Sequence, residues 1–134
     1  MPGDTNSGYD VFLHDRKMGT TRRVSVRTGG GQANGSSGGP SLSADGRFVV
    51  FHSDASNLVP GDTNDRDDVF LRDRKKGTTR RVSISSGGGQ GNHISLHPSL
   101  SADGRSVGFN SYASNLVPGD TNGIPDVFVR SLVP

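Results

Sequence analysis

The sequence contains no cysteine, no tryptophan and no glutamate, and aromatic residues make up only 6% of its 134 residues. Because cysteine is absent, disulfides and thiolate metal sites are excluded, so stabilisation must come from packing, association or an oxygen-ligated ion. All the acidic residues are aspartates, and the net charge is only +2. This mixture of acids and bases does not indicate a nucleic-acid-binding protein.

Long hydrophobic runs are also missing. No apolar stretch reaches the roughly 18 residues that a membrane-spanning helix needs, and the polar start Met1-Pro2-Gly3-Asp4 does not resemble a signal peptide. We therefore expect a soluble protein with no membrane partner, of undetermined location. With 29% hydrophobic residues and twenty glycines, the chain is not expected to form a large hydrophobic core of its own. The apolar residues nevertheless cluster in short runs such as Phe48-Val49-Val50-Phe51, unlike those of a disordered chain.

An internal repeat is the main positive feature of the chain. Residues 2–59 return as 60–117 with 41 of 58 positions identical, and a third, partial copy occupies 118–134. Modules that recur at a fixed period bury their apolar surface against their own copies. We therefore treat residues 1–134 as a single repeat region.

Residues 40–84, which have the length of about one repeat, predict four antiparallel strands, named A to D in chain order. A covers 40–43 and B covers 48–53, joined by a tight turn with Asp45 and Gly46. C covers 68–74 and D covers 78–84, after which 85–97 is predicted to be a loop. C is apolar at consecutive positions, as expected when both faces of a strand are covered. Four short strands with both sheet faces covered by neighbouring repeats predict a β-propeller blade, in an all-β fold with almost no helix.

A family resemblance rests on the turn between A and B. Ser43-Ala44-Asp45-Gly46-Arg47-Phe48-Val49-Val50-Phe51, and its copy from Ser101 to Phe109, resemble the signature of the WD40-like, TolB-type "PD40" propeller repeats of bacteria. Alanine stands where that signature usually has proline. The resemblance implies a scaffold of commonly six to eight blades, used for protein contacts or as an accessory to enzymes, with no conserved chemistry. Its members are often periplasmic or secreted.

The blade count predicts self-association. The chain supplies C and D within 10–26, a full set within 40–84, and A, B and C within 98–131, which is about two blades. Since a closed propeller needs four to eight blades, we expect a homo-oligomeric ring of three or four chains. Two C strands, 10–16 and 126–131, then compete for one place, and the sequence does not decide between them. The alternative is a piece of a longer propeller or a designed sequence.

An Asp-x-Asn-x-x-x-Asp motif occurs three times and predicts possible cation loops, because carboxylate and amide oxygens are the ligands that Ca²⁺ prefers. No glutamate follows in the position that closes an EF-hand loop. The alternative is that these side chains cap turns by accepting backbone N–H groups, without an ion. The candidate metal-ligating residues are Asp4, Asn6, Asp10, Asp62, Asn64, Asp68, Asp120, Asn122 and Asp126.

Other chemistry-bearing residues carry weaker patterns. The four histidines are not repeated between copies, which excludes a ring of equivalent sites, and no serine lies in a nucleophile motif. The glycine runs 29–31 and 87–89 lack the following helix of a phosphate loop and are interpreted as linkers. Arg22-Arg23 and Arg80-Arg81 lie in D strands, where they are expected to face solvent or pair with Asp15 and Asp73.

The sequence therefore favours a non-enzymatic, self-assembling β-propeller scaffold or binding module, with no catalytic residue and no cofactor assigned. Two alternatives stay open: a calcium-dependent, lectin-like or adhesion module, and an accessory propeller fragment of a hydrolase. The ligand is not predicted.

Overall fold

The computed structural model of the chain describes residues 8–59, 67–84, 94–113, 115–116 and 126–132. These residues form nine β-strands and no helix. The strands are β1 (Phe12–Asp15), β2 (Thr20–Arg23), β3 (Ser37–Leu42), β4 (Phe48–Ser53), β5 (Asp68–Asp73), β6 (Thr78–Arg81), β7 (Ser95–Leu100), β8 (Ser106–Ser111) and β9 (Asp126–Ser131).

The strands form three antiparallel sheets, and the second and third sheets each combine strands from two consecutive copies of the repeat. Blade 1 contains β1 and β2, blade 2 contains β3 to β6 in chain order, and blade 3 contains β7 to β9. Strands β3 and β7 are A strands, and β1, β5 and β9 are C strands. The predicted distribution of strands A to D among the three sheets is therefore confirmed.

The predicted bounds of the A and D strands differ most from the structure. The A strands begin earlier than expected, at Ser37 and Ser95, because a register shift between Gly38 and Ser41 accommodates Pro40 without ending the pairing with β4. The second D strand ends at Arg81 and does not reach residue 84. Its ladder stops because Val82 and Ser83 both donate their backbone N–H to the carbonyl of Val69, which is a bulge.

The turn between strands A and B explains the motif that recurs in both copies. Ser43 donates its hydroxyl to Asp45 at 2.7 Å, and the same carboxylate accepts the backbone N–H of Arg47 at 3.0 Å. Gly46 has a φ of 75°, a conformation that side chains disfavour. These hydrogen bonds hold the pKa of Asp45 below its ordinary value, with the Arg47 N–H contributing most. The turn of the next copy, Ser101 to Arg105, has the same bonds.

The core lies between blades and not within a single sheet. Between blades 1 and 2, Val11 and Val24 pack against Val49, Phe51 and Phe70 of blade 2. Between blades 2 and 3 the equivalent residues of the next copy form the same arrangement. They are Val69 and Val82 on one side and Val107, Phe109 and the half-buried Phe128 on the other. The apolar surface of each of the first two blades is thus buried by the following blade, as the repeat predicts.

Candidate functional site

The nine candidate metal-ligating residues are only partly described. Asp4, Asn6, Asp62, Asn64, Asp120 and Asn122 lie outside the described residues. Asp10, Asp68 and Asp126 are described, and each lies at the entrance to a C strand. Within the described part of the chain, no three aspartate or histidine side chains are placed to hold a metal ion.

Asp68 is fully buried and contacts two residues at the end of strand D in its own blade. Ser83 donates its hydroxyl to Asp68 Oδ1 at 3.1 Å, and Arg81 Nε lies 3.5 Å from Asp68 Oδ2. The Ser83 hydroxyl also accepts the backbone N–H of Val69 at 3.0 Å. The bulge after Arg81 is what turns Ser83 towards the carboxylate.

Blade 1 repeats this arrangement with equivalent residues. Ser25 donates to Asp10 Oδ1 at 3.0 Å, and Arg23 Nε lies 3.5 Å from Asp10 Oδ2. Arg22 and Arg80 are exposed, as one of the two expectations had it. The expected pairing with Asp15 and Asp73 was wrong for Arg23 and Arg81, which reach the aspartate at the start of strand C. The sequence signal that could have revealed this is the Arg-Val-Ser triplet, which recurs 13 residues after each of these aspartates.

The positions at which the two copies differ point to another part of the surface. Six differing pairs lie where strand A begins, strand B ends and strand C is entered; we call this part of the blades the variable end. The opposite end carries the turns 43–47 and 101–105, which are identical in sequence. The pairs at the variable end are Tyr9 and Asp67, Ser36 and Ile94, Gly38 and Leu96, Gly39 and His97, His52 and Asn110, and Asp54 and Tyr112.

Backbone hydrogen bonds bring these residues together at the junctions between blades. At the first junction, Ser37 donates its N–H to Tyr9 O at 2.6 Å and Asp54 donates to Ser36 O at 3.3 Å. At the second junction, Ser95 donates to Asp67 O at 2.7 Å and Tyr112 donates to Ile94 O at 3.0 Å. The same backbone hydrogen bonds therefore hold different side chains at each junction.

His52 and Asp67 join the two junctions across blade 2. Their Nδ1 and Oδ2 atoms are 3.6 Å apart, and both side chains are partly exposed. Partial burial raises the pKa of Asp67, while His52 opposes this and Asp54 adds to it. Two exposed aromatic residues, Tyr9 (82% exposed) and Tyr112 (51% exposed), belong to the same end of the blades.

The variable end is suited to binding. Exposed tyrosines offer contact area at low entropic cost and a hydroxyl for hydrogen bonding, and they are enriched at protein interfaces. A hydrogen bond between a histidine ring and a hydroxyl group, His14 Nδ1 to Thr21 Oγ1 at 2.7 Å, lies elsewhere, on the exposed β1–β2 hairpin. It has no third group in the described residues of the kind that orients a catalytic base.

No known family model and no curated protein matches this sequence. Among solved structures, the putative TolB from Agrobacterium tumefaciens is similar over 92% of this chain, with a TM-score of 0.56 and 19% identity. TolB from Acinetobacter baumannii is similar over 92% of this chain, with a TM-score of 0.51 and 20% identity. The chain spans 37% and 24% of the lengths of these two structures.

These likenesses define the class of fold: an all-β propeller made of four-stranded antiparallel blades. More particularly, the architecture is TolB-like, with about two blades and no closed ring in the single chain. At this level of identity the likeness concerns the fold alone. In the part of the chain that the structure describes, no helix is long and apolar enough to cross a membrane.

Proposed function

We propose that the chain is a non-enzymatic β-propeller binding module whose blades form a closed ring with further copies of the same chain. The variable end is its binding surface. The ring is the scaffold that holds this surface in place.

The observation that carries the proposal is the open face of blade 3. Val127 and Val129 are 76% and 75% exposed, whereas their equivalents in blade 2, Val69 and Leu71, are 0% and 3% exposed. The difference arises because blade 3 covers Val69 and Leu71, and no described residue covers the later pair. Apolar side chains on a sheet face at this exposure favour association.

A second copy of the chain fits this face because the same surface is already covered twice within one chain. Blade 2 covers the equivalent face of blade 1, and blade 3 covers that of blade 2, in each case through copies of one sequence. Blade 1 contributes only C and D strands, and blade 3 contributes A, B and C. In the ring, these partial blades of adjacent chains combine into one blade.

Phenylalanine stacking supports the same combination. Phe51 and Phe70 stack within blade 2 with ring centroids 5.9 Å apart, and Phe109 and Phe128 repeat this in blade 3. Phe12 occupies the equivalent position in β1 but is 39% exposed. For Val127 and Val129 to lie on the covered face, β9 must keep the C position of the shared blade, so Phe128 stays stacked on Phe109 and Phe12 of the adjacent chain lies outside the stack.

Mass determination by light scattering tests this proposal when it is applied to a matched pair of variants. The double variant Val127→Asp, Val129→Asp places two charges on the open face and is expected to yield single chains. Met18→Asp, at an exposed hydrophobic residue in the β1–β2 turn (72% exposed), is the control and is expected to keep the assembly. If both variants keep the wild-type mass, this face is not the interface; if the wild type is itself a single chain, the ring is wrong and a longer chain must supply the missing blades.

The non-enzymatic part of the proposal has its own test. We expect no turnover of ester, peptide or glycoside substrates by the purified chain. Hydrolysis that is abolished by His52→Ala, or by His14→Ala at the hydrogen bond to Thr21, would contradict this part and leave the ring unaffected.

A further inference from the structure

A cleft with an unusual concentration of arginine lies between blades 1 and 2. Its volume is about 800 Å³, and it is bounded by the D strand of blade 1 and the C strand of blade 2. No aspartate is among its lining residues. The described residues that line it are Thr20, Thr21, Arg22, Arg23, Val24, Val26, Gly30, Arg72 and Arg74.

Three of the four arginines have no carboxylate partner within the described residues. Arg23 lies beside Asp10. Arg72 instead donates from Nη1 to Thr79 Oγ1 at 3.1 Å and to Arg27 O at 3.3 Å, and Arg74 donates to Gly46 O at 2.6 Å. Arg22 is exposed and forms no ion pair in the described chain. The acceptors that bind Arg72 and Arg74 are uncharged, so they position the two guanidinium groups without neutralising their charge.

Partial burial further destabilises the charge of Arg72. Arg72 is half-buried, and its pKa is held below its ordinary value mainly by burial, with a smaller opposing effect from Asp73. Asp73 is itself occupied by Arg47, which donates two hydrogen bonds to it. Like charges that converge on a cleft with low-dielectric walls concentrate the positive potential there and attract anions.

The corresponding junction between blades 2 and 3 has three of these arginines and lacks the fourth. Arg80, Arg81 and Arg130 occupy the positions of Arg22, Arg23 and Arg72, and Leu132 stands at the position of Arg74. The Arg80 guanidinium there donates from Nη2 to the backbone carbonyl of Leu132 at 3.3 Å. Arg74 is therefore the residue that distinguishes the cleft between blades 1 and 2.

We infer that this cleft binds a small polyvalent anion that carries phosphate, sulfate or carboxylate groups. Arginine suits such a ligand because its planar group donates two parallel hydrogen bonds to an oxyanion. The hydroxyl group of Thr20, which is exposed at the same cleft, is a further donor. The site is separate from the variable end and does not depend on its ligand.

Isothermal titration with two probes, pyrophosphate and citrate, tests the site at constant ionic strength. Binding of either probe is expected, and the stronger one identifies phosphate or carboxylate as the preferred chemistry. Arg72→Gln is expected to weaken binding at least tenfold. Arg22→Gln is a second variant, chosen because its exposed side chain has no structural partner in the described chain and its loss leaves folding intact; we expect it to weaken binding several-fold.

Arg105→Gln is the matched control. It removes the same charge from an exposed turn of blade 3 and is expected to leave the affinity unchanged. Absence of heat with both probes at millimolar concentration would overturn the inference. Equal weakening in Arg105→Gln and Arg22→Gln would also overturn it, because that result indicates a general charge effect and not a site.

Discussion

Arg47 and Asp73 form a bidentate ion pair that joins the two turns at one end of blade 2. Nε and Nη2 of Arg47 each donate to a different carboxylate oxygen of Asp73 at 2.9 Å. The same carboxylate accepts the backbone N–H groups of Lys75 and Lys76, which closes the turn between β5 and β6. These bonds, with the Arg47 side chain first, lower the pKa of Asp73 to about 2.

This ion pair predicts a defined acid dependence of stability. Because the folded-state pKa of Asp73 lies below the ordinary value of about 3.9, its stabilising effect is complete above about pH 4 and is lost as the pH falls through about 2. Urea unfolding of the wild type and Arg47→Gln should therefore differ at pH 6 and converge near pH 2. A difference between the two that is as large at pH 2 as at pH 6 would contradict the assignment.

Blade 3 lacks this ion pair, and the missing partner can be supplied. Arg105 occupies the position of Arg47, but Ser131 stands where blade 2 has Asp73. The backbone frame is the same, since Leu132 donates its N–H to Arg105 O as Arg74 does to Arg47 O. Ser131→Asp is expected to raise the melting temperature by about 2 °C. Ser131→Asn, which cannot form an ion pair, is the control in the same calorimetric scan and should give no comparable gain.

The sequence predicted the blade architecture well because the repeat and the apolar strands have one cause: each sheet needs a neighbouring blade on both of its faces. β4 begins and ends at the predicted Phe48 and Ser53. The run from Asp68 to Leu71 is buried at every position, whereas the nearly identical run in β9 alternates between exposed and half-buried residues. The apolar residues of a C strand therefore indicate that a blade is normally covered on both faces. Only the structure shows that blade 3 has no described neighbour on one face.

The core between blades predicts unequal contributions to stability from Phe51 and Phe12. Phe51→Ala removes a fully buried ring that stacks on Phe70, and we expect it to lower the free energy of unfolding by about 3–4 kcal/mol. Phe12→Ala, at the partly exposed equivalent of Phe70, is expected to cost less than about 1 kcal/mol in single chains. Chemical denaturation measures both values, and a loss for Phe12→Ala as large as that for Phe51→Ala would place Phe12 in a core the single chain does not show.

The engagement of Asp68 predicts how the chain responds to calcium. One carboxylate oxygen accepts a hydrogen bond from Ser83, and Arg81 lies beside the other, so a cation at Asp68 would be close to a guanidinium group. We expect excess Ca²⁺ or a chelator to leave the melting temperature unchanged. Asp68→Asn should cost about 3 kcal/mol, because it leaves Arg81 without its buried counter-charge.

A rise of several degrees with Ca²⁺ would favour the calcium-dependent alternative, particularly if Asp68→Asn abolished it. Such a shift would show that the loops preceding the C strands bind an ion, since ligands that bind only the folded state raise its stability. Ser83→Ala is the companion variant: it removes a hydroxyl bonded to Asp68 and no charge, and should cost about 1 kcal/mol.

The candidate site was less predictable than the fold. Motif spacing identified Asp10 and Asp68 but suggested a cation, because the bulge that brings Ser25 and Ser83 to these carboxylates is not visible in a strand pattern. The variable end was missed for a different reason. Its residues are distributed between Tyr9 and Tyr112, and they become neighbours only when sheet register brings the ends of three strands together.

The central claim is that the face bearing Val127 and Val129 is covered by another copy of the chain. The mass of the wild-type protein by native mass spectrometry, at micromolar concentration, tests it most directly. The predicted result is a species of three or four chains, about 42 or about 56 kDa for a chain of 14.0 kDa. A single 14.0 kDa chain that melts cooperatively at the same concentration would contradict it.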